Sequence, residues 1–99
     1  MKRRKQMKLS NHARVRLEQR TELPPEYSSW KAYSDAARQK GKRISDLTEK
    51  QRNFYQWKHG KPNQRIPCFF DNKCFIFAKK KDRYTLVTVF KYTLREEKK

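Results

Sequence analysis

Lysine and arginine fill 27 of the 99 positions against 10 acidic residues, a formal charge of +17. Any fold this chain adopts must therefore gather its apolar groups beneath a surface that repels itself. With 34% hydrophobic and 37% charged residues, charge and hydropathy alone would leave the chain disordered. The aromatic share of 13% changes that reading: two Trp, five Tyr and six Phe supply more large apolar surface than a disordered polycation carries. The chain reads as one small domain with an aromatic core and a basic shell, too short for a second core.

No run approaches the roughly 20 apolar residues of a membrane span, so no membrane partner is expected. The opening Met1-Lys2-Arg3-Arg4-Lys5 has the charge of a signal peptide, but no apolar stretch follows it. Cys68 and Cys74 form neither a metal set nor a disulfide framework. A reduced, cytoplasmic protein is expected, with a polyanionic partner: nucleic acid or ribosome before anionic membrane.

Residues 1–8 carry five cations and no acid and read as a frayed basic tail, the single domain following over residues 9–99. A first helix is predicted from Ser10, a good N-cap, to Arg20; Leu9, Ala13 and Leu17 form an apolar stripe at four-residue spacing. His12, Arg16 and Arg20 form a second stripe at the same spacing. A second helix over residues 25–40 carries Tyr27, Trp30, Tyr33 and Ala37 on one face and ends at Gly41. A third starts at Asp46, with Glu49 as capping-box partner, turns Leu47, Phe54 and Trp57 inward, and ends at Gly60.

Beyond Pro62 the chain becomes rich in Phe, Ile, Val, Thr and Tyr. Strands are predicted over residues 65–70, 73–79 and 84–93, with Asp71-Asn72 as the first turn and a polar loop around Lys79–Arg83 as the second. In the last strand Tyr84, Leu86, Thr88, Phe90 and Tyr92 point one way and Thr85, Val87, Val89, Lys91 and Thr93 the other. Both sets include apolar residues, which places this strand in the sheet interior. The expected fold is α+β, with N-terminal helices packed on one face of a small antiparallel β-meander. A fourth strand would have to come from around Arg43-Ile44 or from the tail.

The chain has no phosphate-cradling glycine loop, no Gly-x-Ser-x-Gly and no His-Glu-x-x-His, and its acids are scattered singly. No metal site or cofactor is expected, and catalysis would run on His, Arg, Lys, Tyr and Thr. RNA permits this, because its 2′-hydroxyl can attack the adjacent phosphate once a base takes its proton and cations hold the added charge. In the first turn of its helix, His12 meets the positive end of the helix dipole, which favours the neutral imidazole a base requires. Arg16 and Arg20, one and two turns on, could face a phosphate, or form only a solvated face.

The segment Ser10-Asn11-His12-Ala13-Arg14-Val15-Arg16-Leu17-Glu18-Gln19-Arg20 resembles the Ser-x-His-Ala-x-x-Arg-x-x-x-Arg helix of the barnase–EndoU–colicin–RelE superfamily. These are small metal-independent ribonucleases, many of them toxins on plasmids, phages and integrative elements. Tyr84-Thr85-Leu86-Val87-Thr88-Val89-Phe90 is similar to the last core strand of those domains, where Thr and a nearby Tyr join the helical His and Arg. The resemblance implies RNA cleavage, with His12 as general base or acid, Arg16 and Arg20 as phosphate stabilisers, and Thr88 and Tyr92 as positioning groups. It departs in the long stretch from Pro24 to Pro62.

Sequence-independent contact with nucleic acid is expected from Arg14, Lys79, Lys80, Lys81, Arg83 and Lys91. The Lys79–Lys81 run reads equally as a solubilising hairpin loop, Thr88 as a β-branched strand former, and Trp30, Tyr33, Phe54 and Trp57 as core before base-stacking groups. The alternative function is a non-enzymatic module of a phage or mobile element that docks on nucleic acid, the ribosome or a host nucleoprotein complex. An antitoxin or a host protein is a further candidate partner.

Overall fold

Ser10 ends one element and starts the next. The computed structural model describes residues 6–60, 65–80 and 83–94. Its order is β1 (Gln6–Leu9), α1 (Asn11–Arg20), α2 (Trp30–Lys40), a 3₁₀ turn (Ile44–Asp46), α3 (Glu49–His59), β2 (Arg65–Phe70), β3 (Lys73–Lys80) and β4 (Arg83–Lys91). The fold is α+β, with the helices ahead of the β2–β4 hairpins. The Ser10 hydroxyl caps α1 by accepting from the Ala13 amide at 3.0 Å and itself donates to the Val87 carbonyl at 3.2 Å. The Ser10 amide donates to the Leu86 carbonyl at 3.0 Å. Two of these three bonds fix the start of α1 against β4.

Gln6–Lys8 belong to a strand rather than a tail; residues 1–5 lie outside the described residues. The sheet order is β1-β4-β3-β2, and β1 runs parallel to β4, so the sheet is mixed instead of wholly antiparallel. The reason is apolar: Met7, paired with Tyr84, is buried, and Leu9 packs on the same core. The remaining strands form the expected meander, with Asp71 and Asn72 both at positive φ (51° and 58°) in the turn between β2 and β3. Asn and Asp tolerate that region better than most residues.

Helices cover both faces of the sheet, not one. Ala13 and Leu17 of α1 and Tyr33 and Ala37 of α2 meet Cys68, Phe75, Phe77, Leu86 and Val89 in the larger core. On the other face Tyr55 of α3 and Leu47 meet Phe69, Cys74 and Tyr92. Alternation along β2 and β3 produces the division: Cys68 and Phe69, like Cys74 and Phe75, look to opposite sides. Each fully buried large side chain contributes about 1.5–3 kcal/mol.

The strict alternation expected of β4 breaks at Val87. Phe77 pairs with Leu86 and Ile76 with Thr88, so one residue of β4 is unopposed and the strand bulges. As a result Leu86 and Val89 share the larger core, while Phe90 and Tyr92 turn to the smaller one.

Local starts differ from expectation in two helices. Ser29 caps α2 through the Ala32 amide, and residues 25–29 form a turn ahead of it. Thr48 and Gln51, not Asp46 and Glu49, form the capping box of α3; the Asp46 carboxylate instead accepts from the Arg43 amide at 2.9 Å. At the end of α2, Gly41 lies so near the Ala37 carbonyl that a Cβ would collide with it, with Cys68 Cβ and the Phe69 carbonyl both at 3.3 Å. This close approach allows Lys42 to exchange both backbone bonds with Phe69.

Candidate nucleic-acid interface

The stitching of Ser10 to Leu86 and Val87 brings the first turn of α1 beside the β4 bulge. His12 stands exposed in that turn. One turn further, the Arg16 guanidinium donates from Nε to His12 Nε2 at 3.4 Å. This is a long, exposed bond, and it leaves the imidazole nitrogen an acceptor that a competing anion can uncover by drawing Arg16 away.

Two turns beyond His12, about 12 Å along the helix, Arg20 borders a cleft of about 230 Å³. Thr21, Lys73, Val89, Phe90 and Lys91 complete its lining, so among the described residues three cations and no carboxylate line it. Lys73 and Lys91 are opposite each other on β3 and β4 and therefore share a face. Lys73 is partly engaged: its Nζ lies 3.2 Å from the Asp71 carbonyl and 3.5 Å from its carboxylate. That carboxylate also accepts a 2.6 Å bond from the buried Tyr33 hydroxyl, and both burial and this partner hold the phenol protonated far above its ordinary range.

His12, Arg16, Arg20 and Lys91 thus follow the seam between α1 and β4. Thr88 is half-buried at the bulge, opposite Ile76, on the side of the smaller core. Tyr92 is only 8% exposed and built into that core, its ring 5.5 Å from Tyr55 and 5.4 Å from Phe69. Its expected positioning role thus meets an obstacle, because the ring is consumed in packing. Of the five residues expected to act together, the structure brings His12 and Arg16 into contact and sets Arg20 at the cleft further along.

The other expected cations are dispersed. Arg14 points away from the His12 stripe and pairs with Glu18 at 3.7 Å, both exposed, a contact worth little in water. Lys79 lies over the Tyr84 ring at 5.6 Å, and Arg83 is exposed at the start of β4. Lys81 and the Lys80 side chain lie outside the described residues. Among the described residues no group of three His, Cys, Asp or Glu is placed to hold a metal ion.

Sequence reasoning assigned no site role to Lys73, Phe90 or His59. The His59 ring packs 4.8 Å from Phe90 and 5.0 Å from Tyr55, and Phe90 in turn lines the cleft. Partial burial against these rings, followed by the neighbouring Lys58 charge, lowers the proton affinity of His59. The Asp71-Asn72 turn sets Lys73 opposite Phe70, whereas its place opposite Lys91 comes from the β3–β4 register, which no local signal fixes.

No helix among the described residues is long and apolar enough to cross a membrane. No known protein family, curated protein or solved structure matches the chain.

Proposed function

We propose that this protein binds RNA along the α1–β4 seam and cleaves it there without a metal ion, with His12 as the proton acceptor. The observation that carries this reading is the exposed His12–Arg16 contact at 3.4 Å, set at one end of a line of cations that reaches the Arg20–Lys73–Lys91 cleft. A phosphate drawn to the line takes Arg16 as a counter-ion and so frees His12 Nε2. The imidazole then removes the 2′-hydroxyl proton; the 2′-oxygen bonds to phosphorus, the bond from phosphorus to the 5′-oxygen breaks, and that oxygen leaves with a proton from water. Arg16 offsets the negative charge gathered on the phosphorane. The products carry a 2′,3′-cyclic phosphate and a 5′-hydroxyl.

Single-stranded RNA incubated with the protein in EDTA provides the test. His12→Ala is expected to remove cleavage by at least 100-fold, the lower end of what a positioned proton acceptor contributes, while RNA affinity stays within about threefold, since the arginines and lysines of the seam carry the phosphate attraction. Full activity in that variant would remove His12 from the mechanism.

A second reading, binding without cleavage, draws on the burial of Tyr92 in the smaller core, which withdraws one of the five expected catalytic groups. It expects strong salt-dependent binding and no cyclic-phosphate ends in the unmodified protein. The two readings separate on that one product.

A further inference from the structure

Trp57 is 79% exposed, the largest apolar surface left uncovered among the described residues. We propose that α3 is a stacking platform for the unpaired bases of single-stranded RNA, with Trp57 as its outer ring and Phe54 as its base. This inference rests on the RNA-binding reading above and adds the strandedness of the substrate.

Phe54 is half-buried against the smaller core and holds the Trp57 ring at a centroid distance of 5.9 Å and 40° between planes. Trp57 is thereby propped from below while its outer face stays open. Lys50 and Lys58 are exposed one helical turn before and after Phe54, and exposed Asn53 lies one turn before Trp57. Across α3 the cations Lys50, Arg52 and Lys58 stand against the single acid Glu49. An aromatic plane framed by cations and an amide suits a base with its phosphate neighbours. It does not suit an apolar protein groove, which would have to desolvate those ammonium groups. Charge on the whole molecule, +17, selects the same occupant.

The platform also continues the proposed interface. His59, two residues beyond Trp57, packs on Phe90, and Phe90 borders the Arg20–Lys73–Lys91 cleft. A duplex keeps its base faces stacked within the helix and offers nothing to Trp57.

Titration of labelled single-stranded and duplex RNA of equal length into unmodified protein, Trp57→Ala and Trp57→Phe tests this, with the His12→Ala background used to prevent cleavage. Trp57→Ala is expected to weaken single-strand binding by about 5- to 100-fold, the usual effect of removing one stacking ring. Duplex binding and the slope of affinity against salt should be unchanged, because no phosphate contact is lost. Trp57→Phe should recover most of the affinity. Because the ring is exposed, both variants should melt within a degree or two of the parent. Parent protein that binds RNA alongside an equally tight Trp57→Ala variant would overturn the platform alone. Equal loss on single strands and duplex would do the same, and a parent that binds no RNA would overturn the underlying reading as well.

Discussion

His59 carries a sign that can be measured. Its ring packs against Phe90, Tyr55 and Tyr92 while the residue stays largely exposed, and this partial loss of water, followed by the Lys58 charge, lowers its proton affinity below the ordinary 6.5, so the folded state favours the neutral ring. A group depressed on folding stabilises the fold above its unfolded value and loses that contribution as pH falls through the folded one. Urea midpoints measured between about pH 7 and about pH 5 should therefore decline more steeply for the parent than for His59→Gln. A parallel decline in both proteins would contradict this. The same helix shows how far residue-level reading reaches. The pattern correctly marks Leu47 and Phe54 as packed, but puts Trp57 inside and overlooks Tyr55, which is 4% exposed. At 100° per residue Trp57 is about 200° from Tyr55 and falls on the outer side of a helix that buries only one stripe. An aromatic at helical spacing marks a side of the helix, and only the packed partner decides which side is inward.

Elements were legible wherever local chemistry decides them. The Ser10 cap, the apolar pair Ala13 and Leu17, the aromatic face of α2, the Asp71-Asn72 turn and the three C-terminal strands need only spacing and turn propensity. What escaped reading depends on pairing between distant segments. β1 is four residues long within a basic stretch, and its place beside β4 follows from contacts some 77 positions away. The bulge at Val87 is equally silent in sequence, yet it reverses the facing of Thr88 through Tyr92 relative to Leu86 and so turns Thr88 and Tyr92 together to the side of the smaller core, away from α1. The candidate site was legible as a helical stripe and illegible as a set drawn from helix and strand. Ser10 is the joint between these scales, because one hydroxyl both caps α1 and ties it to β4. Ser10→Ala should cost about 1–2 kcal/mol in urea unfolding, and Ser10→Asp should return part of it, since a carboxylate can cap but cannot donate to the Val87 carbonyl. Wild-type stability in Ser10→Ala would show that the joint is dispensable.

At the scale of the molecule, the sheet divides two unequal cores. Among the described residues the larger gathers eleven buried ones beneath α1 and α2, the smaller five beneath α3 and the 3₁₀ turn. The expectation of helices on one face failed here because the third helix crosses to the side where Phe69, Cys74 and Tyr92 would otherwise meet water. One cysteine lies in each core: Cys68 with α1 and α2, Cys74 with Tyr55. Burial pushes the first thiol up to about 11 and the second up to about 12, so neither is a nucleophile while its layer is closed. The chain therefore holds a built-in pair of chemical stopwatches, one on each side of the same partition. Pulsed alkylation with peptide-resolved mass spectrometry should tag Cys74 before Cys68, since the smaller core needs less surface exposed to open. Tagging in the reverse order would contradict that ranking, and a shared rate would mean that the two layers lift away as one cooperative unit.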